Sequence, residues 1–163
     1  MNSKSAGFTW LEMLIVIAVI AGLAMLAIPG IQETAMRKQI KEGLALAAVA
    51  TSGVQAAYAI KGELPADNTA AGLPEATKIV GQQVKAVTVE QGTVTLTFGN
   101  NAAKALHDKH LTLRPAIVPG ETRVPIAWVC AATAVPAGME LRGADKTDIE
   151  MNWLPVECRG SAK

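Results

Sequence analysis

A single carboxylate, Glu12, stands near the start of an apolar run in which every residue from Met13 to Ile28 is apolar or glycine. An acidic group at the middle of a membrane span costs roughly 3 kcal/mol, less near the interface, so such a residue marks a site whose cationic partner has to be found. The side chains of its own helix supply none. If the chain were cut after Gly7, the new α-amino group would lie on Phe8, one helical turn from Glu12 and on the same face. The same carboxylate could instead meet the amine of a neighbouring subunit. The chemistry implied is charge neutralisation where water cannot compete, not catalysis.

The other reactive residues are few. Cys130 and Cys158 are the only cysteines. Far apart and outside any Cys-x-x-Cys motif, they cannot make a four-ligand zinc site by themselves. In an exported domain their simplest use is one disulfide, closing a loop of about thirty residues and stabilising the fold by roughly 3–4 kcal/mol on the chain-entropy model. Two unrelated buried thiols in a cytosolic domain is the competing reading. His107 and His110, the only histidines, sit in His-Asp-Lys-His; with Asp108 they offer too few ligands for a metal, and a solvated turn is expected. No Ser/His/Asp signature, phosphate loop or His-Glu-x-x-His stretch is present. The sequence therefore predicts no enzyme, no metal and no cofactor.

These residues need elements to hold them. With Phe8 to Leu11, the apolar run approaches the ~20 residues of a membrane-spanning helix. After Pro29-Gly30 a helical pattern resumes, with Ile40, Leu44, Ala47, Val54 and Tyr58 along one stripe and Arg37, Lys38, Lys41 and Glu42 largely on other faces. Read as one rod from Phe8 to about Ile60, the helix would be roughly 80 Å long at 1.5 Å per residue. Pro29 either ends the first helix or plants a kink or weak point in a continuous one, because an interior Pro costs about 3 kcal/mol and a Gly about 1.

Gly62 to Pro74 has turn-forming composition and is expected to be a surface loop. Val84 to Glu90 and Thr93 to Phe98 alternate with the strand period, and Gln91-Gly92 between them reads as a hairpin connection. Val87, Val89, Val94, Leu96 and Phe98 should face inward and the threonines of the second strand outward. Leu111 to Leu113 and Ile126 to Cys130 are the next strand candidates. The predicted fold class is α+β: a long N-terminal helix, half transmembrane and half amphipathic, packed on an antiparallel sheet of about four strands. A C-terminal disulfide-bounded loop completes it.

At 163 residues, half of them hydrophobic, the chain has room for one membrane segment and one modest domain. A net charge of +1 with both signs scattered gives no sign of a dedicated nucleic-acid surface. Aromatics make up 4% of residues, too few to support transport through stacked rings. Lys4 and the starting amine precede the span, whereas Arg37, Lys38 and Lys41 follow it, so the positive-inside tally leans weakly against export. The cysteine pair argues the other way.

Gly7-Phe8-Thr9-Trp10-Leu11-Glu12, the long apolar stretch and Pro29 together resemble the class III signal of type IV pilins. Trp128-Val129-Cys130 and Leu154-Pro155-Val156-Glu157-Cys158-Arg159 are similar to the cysteine segments that bound the disulfide loop of type IVa major pilins. The resemblance implies a leader of residues 1–7, cut after Gly7 by a prepilin peptidase that methylates the amine of Phe8. It implies a transmembrane or filament-core helix over 8–29, an amphipathic helix over 30–61 and a globular head over 62–163. Glu12 takes the place of the charge that aligns subunits, Pro29 lies in a stretch that can lose helical structure on packing, and Cys130 pairs with Cys158. The implied partners are other pilin subunits, the peptidase, the inner-membrane assembly machinery, membrane lipid before assembly, and a surface or DNA ligand. The implied product is a cell-surface filament for adhesion, twitching motility or DNA uptake.

Alternatives stay open at this point. A minor pilin or a type II secretion pseudopilin shares the leader and helix. An ordinary secretory signal peptide, cut near Ala24 to Ala27, fits Lys4 and the apolar run loosely but leaves Glu12 without a use. A plain uncleaved anchor, as in a membrane-tethered extracytoplasmic binding module, explains the length of the run but not its carboxylate. The loop Ala131 to Glu157, with Arg142, Asp145, Lys146, Asp148 and Glu150, is read as a solvated surface or as the part displayed on a filament.

Overall fold

The computed structural model describes residues 9–160, except the side chains of 25–31. It forms two compact units that divide between Ala35 and Met36. The expected leader, Gly7 and Phe8 lie outside the described residues. Helix α1 spans Trp10–Lys61 and passes through Pro29-Gly30 without ending, so of the two readings of Pro29 the helix-terminating one is not what is seen.

In the second unit, α1 buries Ile40, Ala47, Ala50, Val54 and Tyr58 at helical spacing against the inward residues of the sheet. Small residues set how near the helix can lie. A Cβ on Gly43 would come within 2.9 Å of the Phe98 ring, so glycine is required for this approach. Gly62 ends α1 at φ +75°, its N–H donating to Tyr58 O at 2.9 Å, because only a residue tolerant of the left-handed region can turn the chain off the helix this way.

The sheet is antiparallel in the order β1 (Val84–Glu90), β2 (Thr93–Phe98), β3 (His110–Ile117), β4 (Ala127–Cys130). Gln91 and Gly92, both at positive φ, make the two-residue turn whose twist matches the hairpin. The four strands expected from the sequence form this path, and a fifth, the two-residue β5 (Glu140–Leu141), lies off it. It pairs Leu141 with Ala116 and Glu140 with Ile117, on the edge of β3 opposite β4 and beyond the end of β2.

Alternation holds in β2, with Val94, Leu96 and Phe98 in the core. The outward threonines are nevertheless buried: Thr93 and Thr95, like Thr112 of β3, are largely hidden from solvent. Both faces of the sheet are thus covered.

The connection after α1 is less free than its composition suggested. Asn68 is buried, its Nδ2 donating to Val87 O at 3.0 Å and to Pro74 O at 3.1 Å while Oδ1 accepts from Val89 N–H at 2.8 Å. One side chain thereby takes the place of a neighbouring strand along the open edge of β1. Asn68→Ala strands those backbone groups and is expected to cost about 2 kcal/mol. The check is a lower urea midpoint of the full chain in detergent micelles; an unchanged midpoint would refute the edge-capping role.

Candidate functional site

Thr9 and Glu12 together open α1. Glu12 N–H lies 3.1 Å from Thr9 O and 3.4 Å from Thr9 Oγ1, and Met13 N–H donates to Thr9 O at 3.3 Å. Thr9 is the N-cap and Glu12 the third helical residue, the arrangement of a Thr-x-x-Glu capping box. The carboxylate also sits in the first turn, where the helix dipole favours negative charge. Glu12 is consequently placed in the first turn both by the Thr-x-x-Glu spacing and by the dipole's preference for an anion there.

Beyond Glu12 the helix surface is apolar on every side. Trp10 is 81% exposed and Leu11, Leu14, Ile17, Ile20 and Leu23 are all more than half exposed. Trp10, Met13, Leu14 and Ile17 line a shallow apolar depression of about 230 Å³. A surface this apolar and this extended calls for lipid or other helices against it. Among the described residues Gln32–Lys61 is long and apolar enough to cross a membrane by length and composition, whereas Trp10–Ala24 is apolar but shorter. The longer segment is committed elsewhere, since Ile40, Ala47, Ala50 and Val54 are fully buried in the core of the head.

The C-terminal part of the head is organised by the Cys130–Cys158 disulfide, whose Cα atoms lie 4.8 Å apart across 28 residues of sequence. Between the cysteines the chain forms β5 on one edge of β3 and then crosses as a strap, Arg142–Asp148, to the other edge. Arg142 N–H donates to Pro115 O at 2.9 Å on the first side. On the far side Lys146 N–H donates to Thr112 Oγ1 at 3.1 Å, Thr112 N–H to Thr147 Oγ1 at 3.1 Å, and Asp148 N–H to His110 O at 3.2 Å.

The strap's charges are paired instead of simply solvated. Lys146 meets Glu90, Arg142 meets Glu140 at 2.5 Å, and Asp148 Oδ1 accepts from His110 N–H at 2.6 Å. These side chains are about half exposed, so each ion pair contributes little by itself, and the backbone bonds carry most of the positioning. Arg114 is the more buried exception, its Nη2 donating to Ala131 O at 2.9 Å. Loop 131–157 is in part a cover for the outer face of the sheet. That is why the β2 threonines are hidden.

The histidines are otherwise engaged: His107 Nε2 bonds Ala102 O at 2.9 Å, and His110 faces Asp148. Asp108, fully exposed, has its pKa lowered by its hydrogen bond to Lys85 and by the charge of that ammonium, with smaller help from His107 and His110. Among the described residues no group of three or more His, Cys, Asp or Glu side chains could hold a metal. A concavity of about 510 Å³ in the head opens between the end of α1, the β1–β2 turn and the strap, with Tyr58, Gln91, Arg142 and Gly143 in its walls.

Comparison with known proteins adds to this geometry. The model of the Pilin family of bacterial filaments matches residues 37–159. The type IV major pilin protein PilE of Neisseria gonorrhoeae is 35% identical over 165 residues, covering 98% of this chain and 96% of that protein. A fimbrial protein of Neisseria meningitidis serogroup A is 33% identical over 171 residues, covering 99% of this chain and 98% of its own length. The fimbrial protein EcpC of Eikenella corrodens is 32% identical over 161 residues, with 96% and 92% covered.

Proposed function

The chain belongs to the pilin family, and from that premise we propose how this structural subunit of a type IV pilus is processed, held and polymerised. The observation that carries the reading is Glu12 in the first turn of a helix whose apolar surface has no covering in the single subunit. A prepilin peptidase removes residues 1–7 and methylates the Phe8 amine. The inner membrane holds the chain by its apolar helix until assembly machinery draws that helix into a bundle of identical ones.

Moving from lipid into an equally apolar bundle exchanges like for like, so packing and polar contacts must select the register. Pairing of Glu12 with a Phe8 amine supplies that selection, at a depth where the attraction is weakly screened. Pro29, within α1, is the proposed place where the helix yields as subunits pack. The amphipathic part of α1 carries the head, which is displayed on the filament. Names and coverage of the relatives favour the major subunit over a minor pilin or pseudopilin.

Mass spectrometry of the mature N-terminus tests the proposal. N-methyl-Phe8 is the expected start; a start near Ala27 would instead indicate ordinary signal processing. Gly7→Val should leave the leader uncut, because a branched side chain replaces the smallest residue at the scissile bond. Recovery of a chain beginning at Phe8 from that variant would remove the peptidase assignment. Abundance in sheared surface filaments separates a major subunit from a minor one.

A further inference from the structure

Two buried side-chain polar atoms in the head, Thr93 Oγ1 and Arg114 Nε, have no hydrogen-bond partner among the described residues. They fall at one place. The β2–β3 register sets Val94 opposite Leu113 and Thr95 opposite Thr112, and its continuation puts Thr93 opposite Arg114 on the face turned away from the core. The strap crosses directly over them. A Cβ on Gly143 would collide with Thr93 Oγ1, and Asp145 Oδ2 lies 3.9 Å from Arg114 Nη2. Thr93 is only 5% exposed.

Buried polar groups in native proteins are nearly always bonded, to ordered water where no protein group serves. We propose that one water molecule is bound in this seam between sheet and strap, accepting from Arg114 Nε–H and bonding Thr93 Oγ1. The chemistry selects the occupant. Arg114 Nε can only donate, whereas the Thr93 hydroxyl can donate or accept, so a neutral oxygen with donors and lone pairs suits both. The guanidinium already has the Asp145 carboxylate for its charge, which disfavours a halide beside it. Such a water links the strap to the sheet independently of the disulfide. Because Arg142 and Gly143 form part of the 510 Å³ concavity, it also stiffens one wall of the head's exposed surface.

The sign of one substitution decides the matter. Thr93→Val keeps the shape and deletes the hydroxyl, while Thr93→Ser keeps the hydroxyl. In the full chain in detergent micelles, amide hydrogen exchange of residues 143–147 should be about tenfold faster in Thr93→Val, with β1 amides unchanged and Thr93→Ser close to wild type. If the hydroxyl is bound to nothing, its removal relieves a cost, and Thr93→Val will exchange at the wild-type rate or slower; that overturns the proposal. Acceleration in Thr93→Ser equal to that in Thr93→Val also overturns it, since the hydroxyl would then be irrelevant. Should Thr93→Val not fold, wild-type crystals decide. A single density peak within hydrogen-bond reach of both atoms supports the water, and its absence, or an anomalous signal there after a bromide soak, rejects it.

Discussion

Glu12→Gln leaves a folded, disulfide-bonded head tethered to the membrane by its helix and few or no surface filaments. The choice of glutamine matters because Glu12 has two separable roles. As the third residue of α1, its N–H against Thr9 Oγ1, it stands where a capping-box side chain reaches back, and the amide of Gln can occupy the same position. As an anion it is proposed to neutralise a Phe8 amine, which Gln cannot do. Taking an unpaired ammonium into an apolar bundle costs several kcal/mol, and about 3 kcal/mol per subunit already lowers an association constant more than a hundredfold.

Sheared-filament yield should therefore fall by roughly two orders of magnitude or more in both Glu12→Gln and Glu12→Ala. Capping accounts for far less, about 1 kcal/mol, so Thr9→Val should reduce filaments only mildly. If Glu12→Gln assembles like wild type while Glu12→Ala does not, capping is the operative role and the charge pairing is wrong. Wild-type pilus numbers in both variants would remove Glu12 from assembly altogether.

What the sequence made legible follows from how local each signal is. The β1–β2 hairpin was readable because alternation and the Gln91-Gly92 turn lie within fifteen consecutive residues. The buried stripe of α1 was readable for the same reason, and the two cysteines left one disulfide to make. Glu12 announced itself by its chemical cost in an apolar run.

The misses have the opposite character. β3 continues to Ile117 through Arg114 and Pro115, a pair that reads as a strand end because proline cannot donate within a ladder. Here it is tolerated because the neighbouring chain, at Arg142, donates to Pro115 O instead of accepting. β5 is two residues long and has no period to detect. The burial of Thr93, Thr95 and Thr112 depends on a strap about thirty to fifty residues further along the chain, and no local pattern reports a long-range cover. Asn68 looked like a turn former, and its service to the edge of β1 is equally non-local. Gly7 and Phe8 rest on the resemblance and the family's processing, since they fall outside the described residues.

The strap also explains why the second large effect should come from the cysteines. Cys130 ends β4 and Cys158 lies in the short 3-10 turn Val156–Cys158, so the bridge closes the segment that holds β5 and covers the outer face of the sheet. On the chain-entropy model its removal costs about 3–4 kcal/mol, roughly a fifth or more of the ~5–15 kcal/mol stability of an ordinary domain. Once the segment is untied, the threonines of β2 and the guanidinium of Arg114 lose the cover that shields them. Polar side chains exposed on a wetted sheet face are tolerable, but the strap's backbone bonds to Pro115, Thr112 and His110 go with it. The Cys130→Ser/Cys158→Ser chain should thus reach the membrane, because the apolar helix is unchanged, yet show a urea midpoint lowered in proportion to that cost and yield no stable filament. The contrast with Glu12→Gln is the diagnostic: that variant loses filaments with its head intact, whereas this one loses the head first. A double serine variant whose urea midpoint matches wild type would mean that the strap is held by its own hydrogen bonds and that the bridge is dispensable to the fold.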